Sequence, residues 1–218
     1  MSFSKLAPRL FILAAAGALV AGVWLGSRSH SSTTTKAPEI FGTLLTVAKP
    51  LTQFALIDQS QHIFTEQNLR GNWSLIFMGY THCPDICPTT LTTLQQTVEL
   101  MQSQSLLIPN IIFISVDPER DTTDVLGKYV GYFNKDFLGV TGTAAEIKNI
   151  SQQTGVYYSK AAGRSGNINK PDYLMDHSAA ILLINPQAEL QAYLTAPHTP
   201  QHIIESLITS KQFYESHL

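Results

Sequence analysis

Two cysteines four positions apart, Cys83 and Cys87, are the only cysteines in this 218-residue chain. They lie in the run Tyr80-Thr81-His82-Cys83-Pro84-Asp85-Ile86-Cys87-Pro88. A thiolate is both a nucleophile and a soft metal ligand, so such a pair can cycle between dithiol and disulfide, hold a metal, or form a structural bridge. A bridge stabilises mainly by closing a long loop, and this loop is very short. A single pair also excludes a small secreted scaffold built on several bridges. Prolines restrict how the run is built: Pro88 deep in a helix would remove a backbone hydrogen bond, whereas at the first helical position it removes none. That places Cys87 at a helix N-cap, where the helix end favours negative charge and is expected to lower the Cys87 pKa.

The pair needs a third group before its chemistry is defined. Tyr173-Leu174-Met175-Asp176-His177-Ser178 stands just before an apolar strand segment and offers His177. On pattern alone, a single histidine at a strand edge reads as a surface or hydrogen-bonded residue. Two thiolates and an imidazole would make a soft set suited to Cu(I), able to hold Cu(II) with an added ligand. Zinc competes, although a structural zinc site wants four ligands and no further cysteine or close histidine pair presents itself. His82 is a fourth-ligand candidate, but as neighbour to Cys83 in a turn it is expected to point elsewhere. Met78 and Met175 carry thioether sulfur, and Met78 lies in an apolar strand, where core packing is expected. His198 and His202 are four apart but flank a helix start and read as solvent-facing. Asp117-Pro118-Glu119-Arg120-Asp121 follows a buried strand and reads as a turn with helix-start charge.

The elements that must position these groups alternate between strand and helix. Trp73 to Met78 and Ile111 to Val116 are short, nearly continuous apolar runs, as in central strands buried on both faces. Between them Leu91, Leu94, Val98 and Met101 recur at spacings of three and four, so Pro88 to Ser105 is an amphipathic helix within a parallel crossover. Gln53 to Ile57 and Ile63 to Phe64 flank a turn and read as an opening hairpin. Thr122 caps a helix with Val125, Leu126, Tyr129, Val130 and Phe133 on its apolar face. Thr143 and Glu146 form a capping box, with Gly155 at the C-terminal cap. Ala180 to Ile184 pairs with Leu190 to Leu194, and Thr199-Pro200 starts a last helix carrying Ile203, Ile204, Leu207 and Ile208. The expected fold class is α/β, a mixed central sheet flanked by helices.

Charge is nearly balanced, 14 Lys and Arg against 16 Asp and Glu, which implies neither nucleic acid nor an anionic membrane surface as an electrostatic partner. Residues 1–9 read as a short cytoplasmic N-terminus containing Lys5 and Arg9. The uncharged run 10–26 reads as a transmembrane anchor, with a signal peptide as the alternative. Trp24 sits where an interfacial anchor would, and only Arg28 follows closely, so the globular part is expected outside. Residues 27–39 are too polar to bury and read as a flexible tether. Residues 40–218 form one domain.

Four motifs go beyond generic pattern: Gly79 to Pro88, then Ser115-Val116-Asp117-Pro118-Glu119-Arg120-Asp121-Thr122, then Leu138-Gly139-Val140-Thr141-Gly142, then Asp176-His177-Ser178. In order and spacing, from about Phe41 to Tyr193, they resemble the Sco/SenC family. The resemblance implies a thioredoxin-like fold and a copper site made from Cys83, Cys87 and His177. It implies a metallochaperone for the dinuclear copper centre of cytochrome c oxidase subunit II, tethered to a bacterial inner membrane with its domain facing the periplasm. The alternative is a membrane-anchored thiol-disulfide reductase that keeps a partner's copper-ligating cysteines reduced, with Cys83 and Cys87 as its redox dithiol. A peroxidase is disfavoured, because the residues before Cys83 lack the Pro-x-x-x-Thr-x-x-Cys arrangement. The Gly-, Asn- and Ser-rich stretch Ala161 to Pro171 reads as a flexible loop that would let His177 approach and leave the cysteines.

Overall fold

The computed structural model describes Trp24 and residues 37–217. Apart from Trp24, the expected anchor lies outside the described residues, as does nearly all of the tether. Among the described residues, no helix is long and apolar enough to cross a membrane.

The sheet is built around two parallel crossovers. Strand β4 (Ser74–Gly79) is buried along its whole length, and it leads through helix α1 (Ile86–Ser103) into β5 (Asn110–Ser115). From β5 the chain passes through α2 (Thr123–Phe133) into β6 (Leu138–Thr141), and β4, β5 and β6 pair in parallel. Continuous apolar runs suit these strands because both faces are covered. Antiparallel strands complete the sheet. On one side of β4 lie β9 (Ile181–Ile184), β10 (Glu189–Leu194) and β1 (Gly42–Pro50). Beyond β6 lie β2 (Leu56–Asp58) and β3 (Ile63–Phe64). The result is the mixed sheet flanked by helices expected from the sequence. Strand β1 was not anticipated; only its Leu44 is buried among mostly exposed neighbours, so its period-two signal is weak.

The two faces of β4 meet different helices. An added Cβ on Gly79 would strike Cys87 of α1 and Phe113, whereas Met78 lies beside Thr154 of helix α3 (Ala144–Thr154). Helix α4 (Pro200–Glu215) packs against α1. Caps follow the sequence signals: Thr122, Thr143 and Thr199 each accept a hydrogen bond from the third backbone N–H beyond, and Gly155 closes α3 with φ of 70°. The Thr143 box is only half formed, because the Glu146 carboxylate accepts from the Ala55 backbone N–H instead. On the expected apolar faces, Val125 and Ile208 are more than a third exposed.

A separate two-stranded ribbon joins β7 (Tyr158–Ala161) to β8 (Leu174–His177), with Tyr158 opposite His177. This ribbon carries the histidine.

Candidate metal centre

Strand β4 delivers the cysteine loop and α1 receives it. Cys83 N–H donates to the Tyr80 carbonyl, closing a turn, and α1 begins at Ile86 with Asp85 as N-cap. The expected N-cap at Cys87 is therefore corrected: Cys87 is the second helical residue and Pro88 the third. Proline is tolerated there because the first four helical N–H groups have no intrahelical partner anyway. The Asp85 side chain makes no capping bond. In its place the Cys83 sulfur accepts from the Cys87 backbone N–H at 3.5 Å, using an orphan donor of the helix end.

Cys87 is fully buried and Cys83 partly exposed. The Cys87 sulfur rests over Gly79: a Cβ there would lie 2.7 Å from Cys87 Sγ and 2.9 Å from Phe113 Cε2. The missing side chain of Gly79 is thus the space Cys87 occupies.

His177 arrives from the ribbon. Its Nε2 is 3.4 Å from Cys87 Sγ. Its Nδ1 is 3.1 Å from the Ser178 carbonyl oxygen. A carbonyl only accepts, so Nδ1 carries the proton and Nε2 presents its lone pair to the sulfurs, the tautomer a metal ligand requires. The ring lies edge-on to Phe77 and Tyr80, 5.9 Å between centroids in each case. Ser178 pins the strand end by exchanging hydrogen bonds with the Tyr157 backbone.

The ligand atoms of Cys83, Cys87 and His177 all lie within 4.8 Å of one another. No other His, Cys, Asp or Glu joins this group among the described residues. His82 turns away, with Nδ1 3.1 Å from Thr81 Oγ1. Met78 is core, as expected, and Met175 is also buried. His198 and His202 form no pair and are not solvent-facing. His198 Nε2 donates to the Ala179 carbonyl at 2.9 Å, and His202 stacks on Phe41.

The thiol electrostatics reverse the sequence expectation. Cys83 is the acidic sulfur, lowered to about 3 mainly by a hydrogen bond from the Cys87 thiol, with the backbone N–H groups of Asp85 and Cys87 adding to it. Cys87 is raised by donating that bond and by burial. The more exposed sulfur holds the charge and the buried one keeps the proton, since burial disfavours the charged form.

The segment read as a turn proves to organise the site. Asp121, fully buried, accepts from the Thr81 backbone N–H at 2.9 Å, from the Thr81 hydroxyl at 2.6 Å and from the Ser115 hydroxyl at 2.6 Å. These bonds fix the start of the cysteine loop. Asp117, also buried, pairs with Arg120 and accepts from the Tyr173 hydroxyl. Neither role follows from the sequence without knowing what packs above the turn, although two acids at the carboxyl end of an apolar strand were the available signal.

A mixed sheet whose switch into α1 presents a cysteine pair, met by an imidazole from a neighbouring ribbon, defines a thioredoxin-like fold with a soft thiolate and imidazole site. The profile of the SCO1/SenC family matches residues 46–212, and the chain belongs to that family. It is 37% identical over 155 residues to the SCO2-like protein of Rickettsia felis, covering 71% of this chain and 73% of that one. Arabidopsis thaliana ScoI with copper bound superposes with a TM-score of 0.67 at 33% identity, covering 73% of this chain and 96% of that one. Yeast Sco1 with copper bound gives a TM-score of 0.65 at 32% identity, covering 78% and 87%.

Proposed function

We propose that this chain binds copper through Cys83, Cys87 and His177 and delivers it to the dinuclear copper centre of cytochrome c oxidase subunit II. The observation that carries the reading is the meeting of two sulfurs and one imidazole within 4.8 Å, from a cysteine loop and a ribbon far apart in sequence. Such a set is soft and of low coordination number, which suits Cu(I) and leaves room for an incoming ligand. The copper found in the Arabidopsis and yeast relatives supports the same assignment. Delivery would proceed by exchange of these ligands for those of the receiving protein. The N-terminal run 10–26 would tether the domain to a bacterial inner membrane, facing the periplasm; Lys5 and Arg9 before that run support this orientation.

A second reading is favoured by the division of labour between the sulfurs. Cys83 is partly exposed and ionised, and Cys87 lies buried beside it, which suits attack on a partner disulfide by Cys83 and resolution by Cys87. Copper binding needs His177, whereas dithiol exchange does not. His177→Ala is therefore expected to lower copper affinity at least tenfold while leaving the rate of exchange with a small disulfide within about twofold, since each 1.4 kcal/mol of ligand free energy is a factor of ten. Equal copper affinity with and without His177, by competition against a chelator, would remove the three-ligand assignment.

A further inference from the structure

The histidine stands on a ribbon outside the main sheet, and something must hold that ribbon over the cysteines. The geometry points to Arg120 and Tyr173, gripped by Asp117, as positioning residues that keep His177 in reach of the sulfurs; this rests on the copper reading above.

The contacts converge on one turn. Arg120 Nε pairs with the buried Asp117 carboxylate, and Arg120 Nη1 donates to the carbonyls of Pro171 at 3.1 Å and Tyr173 at 2.9 Å. Those carbonyls belong to the chain entering β8, Pro171 six residues and Tyr173 four residues before the ligand. The guanidinium carbon also lies 3.6 Å from the centroid of the Tyr173 ring. Arginine combines planar stacking with several fixed donors, which a lysine cannot reproduce. The Tyr173 hydroxyl completes the closure by donating to the other Asp117 oxygen at 2.6 Å. The second strand of the ribbon is held to the same turn, because Lys160 of β7 pairs with Glu119 at 2.7 Å. Within the connecting loop, Ser165 bonds Asp172 through both its N–H and its hydroxyl.

Asp121, four residues after Asp117, holds the cysteine loop through Thr81. The two halves of the site are thus referred to a single turn at the end of β5. The sequence reading gave control of His177 to a flexible loop 161–171; the structure places the restraint at the end of that loop, where Arg120 grips Pro171 and Tyr173. Preorganisation of this kind contributes to affinity by reducing the ordering cost of binding, without any direct contact to the metal.

The test is a double-mutant cycle with a readout on the metal-free protein. Tyr173→Phe removes only the hydroxyl, and Arg120→Lys keeps the charge while losing the fork and the stack. Each is made alone and together with His177→Ala in the reduced full-length protein. Expected are a roughly tenfold lower Cu(I) affinity for each single variant and no further loss, within twofold, when His177 is already alanine. Amide exchange in the metal-free single variants should rise about tenfold at Met175 to Ser178 and stay unchanged in β4 and α1. Equal losses in both histidine backgrounds would mean the clamp serves the fold at large, and would overturn the inference. So would unchanged exchange in β8. If His177→Ala itself leaves copper affinity intact, the copper assignment fails, and the exchange rates in β8 still decide whether the clamp holds the ribbon.

Discussion

Replacing Gly79 by alanine tests the placement of Cys87 most directly. The glycine does not have a positive φ, so any penalty comes from space and not from backbone strain. The new methyl carbon would stand 2.7 Å from Cys87 Sγ and 2.9 Å from Phe113 Cε2. Comfortable separations are roughly 3.5–4.0 Å, so about 1 Å of overlap must be relieved. Phe113 has no exposed surface and Cys87 lies on the first turn of a packed helix, so neither yields freely. Overpacking of a core costs typically about 1–3 kcal/mol. For a domain of this size, 2 kcal/mol lowers the melting temperature by about 4–8 °C. If the bound metal requires the sulfur in its present position, the same strain appears in binding as a loss of about tenfold to a hundredfold. The measurements are thermal unfolding of the reduced, metal-free domain and a chelator competition for Cu(I). An alanine variant that melts at the wild-type temperature and binds copper equally well would show that the Cys87 sulfur does not sit over Gly79.

Two further outcomes follow from the charges of the site and from a buried hydroxyl on Tyr129, whose ring packs against Phe113. Between about pH 3, where folded Cys83 titrates, and the ordinary thiol value of about 8.5, the unfolded chain binds one more proton at this residue, so stability rises with pH across that window. Cys87, raised by its bond to Cys83, withdraws stability only above the ordinary thiol range. The denaturant midpoint of the reduced domain should therefore climb from pH 4 to pH 8 more steeply than that of Cys83→Ala, and parallel curves would contradict the assignment of the charge to Cys83. The Tyr129 hydroxyl is buried without a hydrogen-bond partner, so Tyr129→Phe should stabilise the domain by about 1 kcal/mol; a loss of stability in urea unfolding would show that the hydroxyl is satisfied.

The parallel core was legible because its strands are buried on both faces and its first helix repeats Leu91, Leu94, Val98 and Met101 at helical spacing, all four of which are buried. The caps at Thr122 and Thr199 were equally legible, since capping is chemistry between near neighbours. What escaped was non-local. Strand β1 shows little alternation because it lies at a sheet edge. The ribbon is legible only once β7 and β8 are known to pair. For His177, spacing alone argued against a ligand role, and only the ordered motifs promoted it. The acidity of the two thiols was misassigned because the bond Cys87 donates to Cys83 and then its burial, neither of which the sequence displays, outweigh the helix end at that sulfur. Asp117 and Asp121 read as turn residues because the partners that give them their roles, Tyr173 and Thr81, come from distant parts of the chain.

The unequal exposure of the two sulfurs also sets the regiochemistry of every covalent adduct the site can form. Cys87 has no exposed surface and is backed by Gly79 and Phe113. An alkylating reagent, an oxidant or the sulfur of another protein therefore meets Cys83 first and leaves its mark there. Cys87 can then reach only what is already attached to its neighbour. A bulky thiol reagent should thus label the reduced protein once, at Cys83, for as long as the fold persists.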